Sequence, residues 1–415
     1  MSRRRASNSD SLASSSVNEA VAYPFAGMQQ SQQHTYSQRR GPIEGPGGRR
    51  LTRRVTWRSS TYKLMASLWV LGVLYIVWLI RDIFYLPFSY SSEHTVKANA
   101  GDDLLAQYVG REECGISSQA LYLPPQSGAE SAVGDLYCQT RESLLSSMSS
   151  GGRHGFDAPY TSQGCSYRWY TGPEICDILG RFDGLVFIGD DSLADAYAGF
   201  NILLRKDLDQ GSLKEWELGS GLYATCGCDS QFTSSACSSA RITSSEELHS
   251  QGGKIRTESP YICSANTPHM FLSVTGSPVP SSVHNKFKSL LARPSKNKSP
   301  VAVIQSLSHS TSYSLDTATN SIDEWLTLAK TSARTTPFLW IGPTAPGHQT
   351  PPEDNVHAAS WQYTQDTAQV AQSRGIDVLG MYNATLQAES WDGLRYGEKV
   401  ALMQAMMVIN WLALL

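Results

Sequence analysis

A short Gly-Asp turn carries the residues best suited to catalysis. Gly189, Asp190, Asp191 and Ser192 follow the apolar run 184–188 and precede a helical pattern, which predicts a strand, a tight turn and a helix start. A serine at such a turn lies where the first backbone N–H groups of the helix stabilise developing negative charge. We therefore expect Ser192 to be a nucleophile, with Asp190 and Asp191 as catalytic partners and Gly189 on the oxyanion side.

The C-terminal segment supplies a second group of candidates. Asp392 could orient a catalytic base, and Trp391, Arg395 and Tyr396 surround it as candidate substrate-binding side chains. A serine needs a positioned base, usually histidine near neutral pH, whereas a guanidinium stays protonated and cannot accept the proton. His309 is the best candidate base, because it follows a predicted strand and should lie at the same edge of the sheet.

The two segments resemble the GDS block and the terminal Asp-x-x-His block of the SGNH/GDSL esterase superfamily, with Arg395 in place of the histidine. Further motifs resemble the plant trichome-birefringence-like and PC-esterase group, and the tail resembles its fungal members. The resemblance covers 165–415 and rests on 165–169, 176–177, 181–183, 391–397 and 408–412. Members of this group are Golgi type II membrane proteins that transfer or remove acetyl groups on polysaccharides through an acyl-serine intermediate, and the resemblance implies the same location and activity for this chain.

Against that family pattern, the Gly-Asp turn can be aligned in two registers. With one inserted residue Ser192 is the nucleophile, and without the insertion Asp191 takes the serine position. The ungapped register keeps Tyr197 and the helix aligned, so both registers stay open. The resemblance also implies an oxyanion-stabilising asparagine after the strand 301–305. Residues 305–310 read Gln-Ser-Leu-Ser-His-Ser and contain no asparagine.

Strands and helices alternate beyond residue 182. This order predicts an α/β fold, a doubly wound parallel sheet with helices on both faces and reactive groups at the carboxyl ends of the strands. The predicted strands are Leu185–Ile188, Val301–Gln305, Phe338–Ile341 and Ile376–Leu379, and the predicted helices are Leu193–Leu204, Ala318–Ala333, His357–Ser373 and Glu398–Leu414. Residues 210–300 interrupt the alternation and are predicted to be a cystine-stapled insertion.

The composition shifts along the chain and predicts four regions. Residues 1–61 are arginine-rich without apolar periodicity and should form a disordered cytosolic tail. Residues 62–86 contain the uncharged run 64–80 and are predicted to be a single transmembrane anchor. Residues 87–164 should form a luminal stem and cystine-rich region, followed by the catalytic domain at 165–415. A short span suits Golgi or other early secretory membranes.

The eight cysteines all lie beyond the predicted anchor, which indicates disulfides formed in an oxidising compartment. Cys226 and Cys228 could be half of a zinc site, but no second pair completes it, so neither a metal nor another cofactor is predicted. The net charge of −3 argues against a nucleic-acid partner. Asn383 and Asn297 begin Asn-x-Ser/Thr sequences and are predicted N-glycosylation sites.

Three hypotheses of function follow. The first is a Golgi-lumen polysaccharide O-acetyltransferase or acetylesterase, with a glycan substrate and an acetyl donor that the sequence does not identify. The second is a non-catalytic relative in which Arg395 binds a carboxylate of an acidic glycan. The third is a membrane-anchored scaffold protein that docks a partner enzyme.

Overall fold

The computed structural model of the 415-residue chain divides into two compact units, residues 1–94 and residues 95–415. The residues that the structure describes are 59–88 (side chains of 62–78), 103–123, 136–249, 261–263, 267–294, 298–350 and 355–415.

The first unit contributes one described element, helix α1 (Ser59–Phe88). In the described part of the chain, no helix combines the length and the apolar character needed to cross a membrane. The side chains of 79–86, which belong to the predicted anchor at 62–86, lie outside the described residues. The predicted tail at 1–61 lies almost entirely outside the described residues.

The second unit is built on a five-stranded parallel sheet. Its strands stand in the order β4-β3-β5-β6-β7, and a separate two-stranded ribbon is formed by β1 and β2. The strands are β1 (Gly152–Arg153), β2 (Tyr160–Thr161), β3 (Gly184–Gly189), β4 (His269–Ser273), β5 (Val301–Ser306), β6 (Phe338–Ile341) and β7 (Asp377–Leu379). Strands β3, β5 and β6 are buried along their whole length because both faces of a parallel sheet are covered.

Helices connect the strands. The helices of this unit are α2 (Ser118–Leu121), α3 (Arg141–Ser150), α4 (Gly172–Leu179), α5 (Asp191–Arg205), α6 (Ser220–Thr225), α7 (Ser230–Thr233), α8 (Ser235–Ser238), α9 (Ser245–His249), α10 (Ser281–Leu291), α11 (Leu315–Lys330), α12 (Val356–Ser373), α13 (Tyr382–Thr385) and α14 (Glu398–Ala413). Short 3₁₀ turns occupy Glu215–Glu217 and His309–Thr311.

Two hydrophobic cores cover the two faces of the sheet. Leu185 and Phe187 of β3 point into a core shared with α5 and α14, whereas Val186 and Ile188 point into a core shared with α10, α11 and α12. This alternation follows from the two-residue period of a strand. The prediction of an α/β parallel sheet with helices on both faces is confirmed.

One strand escaped the sequence pattern. Strand β4 lies at the sheet edge beside β3, and together with α10 it falls inside the predicted insertion 210–300. The interval therefore contains a strand of the sheet and a helix that packs against the sheet. The four predicted strands all appear, with bounds that differ by at most one residue at either end.

Four disulfides join the eight cysteines, so the prediction of cystines is confirmed. Two of them tie the residues before β3 to the segment between α5 and β4, and the other two each lie within one of these regions. Because both Cys226 and Cys228 are bonded to other cysteines, neither offers a thiolate to zinc. The pairs are Cys114–Cys228, Cys138–Cys165, Cys176–Cys263 and Cys226–Cys237.

Candidate functional site

The Gly-Asp turn lies at the point where the strand order of the sheet reverses. Strand β3 is the first strand of the sheet in sequence, and β4 and β5 pair with it on opposite sides. In open α/β sheets, ligands bind outside the carboxyl ends of the strands at such a switch point. A Cβ on Gly189 would collide with the carbonyl oxygen of Ser306, so glycine permits the close approach of β3 and β5.

Asp190 connects the turn to the loop that follows β5. Its side chain is 1% exposed, and Oδ2 accepts hydrogen bonds from the Ser308 backbone N–H (2.8 Å), Ser308 Oγ (2.7 Å) and Ser310 Oγ (2.7 Å). Oδ1 is buried and has no hydrogen-bond partner among the described residues. Asp190 therefore fixes the position of the 308–310 loop relative to the start of α5.

His309 lies in the middle of that loop, at the carboxyl end of β5. It begins a 3₁₀ turn and is half-buried, and its Nδ1 is 3.4 Å from Ser308 Oγ. The predicted base therefore lies at the sheet edge that the sequence indicated. Within the described part of the chain, no hydrogen bond joins His309 to Ser192 or Asp392.

Two side chains start helix α5 after the turn. Asp190 is the N-cap residue, Asp191 is the first helical residue and is exposed, and Ser192 is the second and is half-buried. Both registers therefore place a candidate side chain at the N-terminus of a fifteen-residue helix. The Gly189 carbonyl accepts a hydrogen bond from the Val274 backbone N–H (2.8 Å), and its oxyanion role stays a prediction.

Asp392 is paired with Arg395. Its carboxylate accepts hydrogen bonds from the backbone N–H groups of Leu394 (2.9 Å) and Arg395 (2.6 Å) and from Arg395 Nε (3.2 Å). Partial burial favours a higher pKa for Asp392, but these hydrogen bonds and the guanidinium charge outweigh it and lower the pKa. Asp392 is therefore ionised at neutral pH, and its hydrogen bonds go to its own loop.

The rest of this loop presents one cation and one aromatic ring. The Arg395 guanidinium lies 4.4 Å from the centre of the Trp391 ring, which is partly exposed. Tyr396 is buried, and its hydroxyl donates to the Ala345 carbonyl (2.6 Å). Tyr396 thus anchors the loop to the segment after β6, while Trp391 and Arg395 are the side chains available to a ligand.

A buried ion pair, which the sequence did not indicate, lies beneath the helix start. Asp195 follows Asp191 by one turn, and its Oδ1 is 2.7 Å from Arg241 Nη1. Burial raises the pKa of Asp195 to about 6, although Arg241 and Arg395 favour a lower value and Asp191 favours a higher one. Arg395 and Asp191 are both within electrostatic reach of Asp195, so the C-terminal loop lies near the start of α5.

The raised pKa predicts how Asp195 affects stability. Between pH 4 and 6 the folded carboxyl keeps a proton that the unfolded carboxyl has lost, so the contribution of Asp195 to stability falls as the pH rises through this range. The free energy of unfolding of the wild type minus that of Asp195→Asn should therefore fall by roughly 2 kcal/mol from pH 4 to pH 6. Urea denaturation at each pH measures it, and a difference that grows with pH would contradict the prediction.

The remaining predicted residues lie elsewhere. Asn383 is half-buried in α13, and its Nδ2 donates to the Ser149 carbonyl (3.2 Å). Asn297 lies outside the described residues. In the described segments, Cys114, Asp209 and Cys228 lie close enough together to be considered as metal ligands, but the two sulfurs form a disulfide with each other.

Comparisons with known proteins show a distant likeness in fold at most. No protein-family model matches the chain, and no curated protein matches it. Among solved structures, the chain is similar to Est24, a carbohydrate acetylesterase from Sinorhizobium meliloti, with 13% sequence identity and a TM-score of 0.24. The similarity covers 34% of this chain and 77% of that chain. A likeness at this level carries no argument about function.

Proposed function

We propose that this protein is an SGNH-type acyl-transfer enzyme that removes or transfers acetyl esters on a polysaccharide. The observation that carries the proposal is the turn at 189–192, which puts Ser192 at a helix start and at the switch point of the sheet. Asp190 ties that turn to the loop that bears His309, a residue able to act as a base. The sequence resemblance to the trichome-birefringence-like and PC-esterase group agrees with this assignment.

The chemistry would proceed by two acyl transfers. Ser192 Oγ attacks the acetyl carbonyl carbon while His309 takes the hydroxyl proton, and backbone N–H groups at the start of α5 stabilise the oxyanion. The sugar oxygen then leaves with that proton, which produces acetyl-Ser192. Attack by water releases acetate, whereas attack by a second sugar hydroxyl transfers the acetyl group. His309 accepts and returns one proton in each half of the cycle.

Acetate release by the purified full chain from an acetylated polysaccharide tests the proposal. Free acetate would appear in proportion to enzyme and time, and a gain of 42 mass units per acetyl group on an acceptor glycan, as the mass of an acetyl group replacing hydrogen requires, would indicate transfer. If neither acetate nor acetylated acceptor forms faster than in the uncatalysed reaction, the proposal is contradicted.

The proposed place of work is the lumen of the secretory pathway, and specifically the Golgi. The four disulfides support an oxidising compartment, because thiols stay reduced in the cytosol. Immunofluorescence of the tagged full chain with Golgi and cytosolic markers tests this, and a diffuse cytosolic signal would contradict it.

The Arg395 loop favours a second candidate function, acidic-glycan binding without turnover. Arg395 occupies the position where the family pattern has histidine, and Asp392 is bonded within the same loop. A guanidinium stacked on Trp391 can form a bidentate contact with a uronic acid carboxylate.

The effect of Arg395 on binding distinguishes this candidate. Arg395→Ala should weaken binding of an oligogalacturonate by about tenfold to a hundredfold, because a charge-assisted contact contributes about 1.5–3 kcal/mol. Isothermal titration calorimetry measures the affinity. Arg168→Ala is the matched control, because Arg168 also stacks on an aromatic ring, that of Tyr170, and is well exposed. Equal affinity of all three proteins would exclude an Arg395 carboxylate site.

A further inference from the structure

A long groove runs along the edge of the sheet beside strand β7. Helices α3 and α12 form its walls, β7 forms its floor, and its volume is about 710 Å³. Strand β7 pairs with β6 alone among the sheet strands, so the groove follows an unpaired strand edge between two helices. Its volume falls in the range of small-molecule and cofactor sites, which is about 300–1,000 Å³.

Helix α12 presents a stripe of one aromatic residue and two amides to this groove, which we name the Trp361 groove. Trp361, Gln365 and Gln372 line it together with Ala368, at spacings of four, three and four residues that repeat on one helix face. The stripe spans about 16 Å, since a helix rises 1.5 Å per residue. In the described part of the chain neither amide forms a hydrogen bond within the protein, so both can bond to a ligand.

Trp361 is exposed and held in a fixed orientation. Its side chain is 43% exposed, and its ring packs edge-to-face on Tyr382 with the ring centres 5.0 Å apart. An exposed indole on a concave surface offers a flat apolar face, and the C–H face of a sugar ring is a suitable partner for it.

The charges of the groove favour an uncharged ligand. Arg141, its single positively charged lining residue among those described, forms an ion pair with Asp377 (3.2 Å), and Glu142 adds one negative charge. A phosphate or carboxylate ligand would meet no unpaired cation here. The other polar groups include amides and hydroxyls, which suit a polyhydroxy compound.

One end of the groove lies at the carboxyl edge of the sheet, because Gly380 and Tyr382 line it and follow strand β7. Tyr382 lines it and lies close enough to Tyr313 and Tyr396 to add to the effect of burial in raising their pKa values. The charge of Asp190 also favours a higher pKa of Tyr313. The Gly-Asp turn follows β3 at the same carboxyl edge of the parallel sheet, so this end of the groove and the candidate active site share one edge.

We propose that the Trp361 groove is a subsite for an uncharged polysaccharide chain. Trp361 stacks on a sugar ring, and Gln365 and Gln372 form hydrogen bonds with its hydroxyls. This inference rests on the proposed function, because it identifies the groove as the place where the chain of the acetylated substrate is held. Asn383 also lines the groove.

Oligosaccharide binding to the purified full chain tests the subsite. Hexameric fragments of xylan, mannan and chitin are titrated calorimetrically against the wild type, Trp361→Ala and Tyr223→Ala. Tyr223 is the matched control, an aromatic residue on α6 that is 50% exposed and does not line the groove. At least one fragment should bind, with about tenfold lower affinity for Trp361→Ala and unchanged affinity for Tyr223→Ala.

Measurements of turnover distinguish a failure of the proposed subsite from a failure of the proposed enzyme activity. Trp361→Ala should raise KM for an acetylated oligosaccharide and leave the hydrolysis of p-nitrophenyl acetate unchanged, because the small ester does not reach the groove. Binding that depends on Trp361 without any turnover would support the subsite and contradict the enzyme. Absence of fragment binding, equal affinity in Trp361→Ala, or an N-glycan found on Asn383 by mass spectrometry would overturn the subsite, because that glycan would fill the groove.

Discussion

Ser192→Ala should lower acetyl release by about 10⁴- to 10⁶-fold, whereas Asp191→Ala should lower it by less than tenfold. A serine nucleophile that forms an acyl intermediate has no substitute, and its removal from a serine hydrolase costs on this order in turnover. Asp191 is exposed at the first position of α5, so its removal changes mainly the charge near the helix start. Initial rates of acetate release from an acetylated oligosaccharide measure both variants.

The reverse result would support the ungapped register of the Gly-Asp turn. If Asp191→Ala is inactive and Ser192→Ala keeps its rate, the ungapped register is correct and the acyl-serine mechanism fails. Equal rates for both variants and the wild type would exclude catalysis at this turn. Circular dichroism serves as the control for folding, and both side chains lie outside the hydrophobic cores.

The sheet was predictable because its central strands are continuous apolar runs. Strands β3, β5 and β6 are buried on both faces, so their sequences need no alternation. Strand β4 was missed because it is an edge strand of mixed composition that follows a cysteine-rich segment. The presence of disulfides followed from the even number of cysteines, but eight cysteines allow 105 pairings and sequence spacing does not choose among them.

The candidate site was only half predictable for a related reason. Local patterns reveal the turn at 189–192 and the placement of His309 after a strand. They do not reveal that Asp190 bonds to Ser308 and Ser310, which lie 118 and 120 residues away. The serine-rich sequence after β5 was visible, but its partner was not. The Asp195–Arg241 pair, 46 residues apart, was missed for the same reason.

Asp190→Ala should lower the free energy of unfolding by about 3 kcal/mol and abolish acetyl release. The substitution leaves the two buried donors of Ser308 without their acceptor and also removes the acceptor of the exposed Ser310 hydroxyl. An unsatisfied buried donor costs about 1–3 kcal/mol, and partial relaxation keeps the sum below the full total. Urea denaturation followed by tryptophan fluorescence measures the change, since Trp325, Trp340 and Trp411 are buried in the cores.

Two further variants identify which property of Asp190 matters. Asp190→Asn keeps one acceptor oxygen and should lose less stability than Asp190→Ala. Its NH₂ group would replace the buried Oδ1 atom, which has no hydrogen-bond partner among the described residues, so the NH₂ group would also be unpaired. Asp191→Ala is the matched control, and its exposed site predicts a change below about 1 kcal/mol. If Asp190→Ala were as stable as Asp191→Ala, the 308–310 loop would be held by other contacts. His309 would then owe its place at the sheet edge to β5 rather than to the Gly-Asp turn.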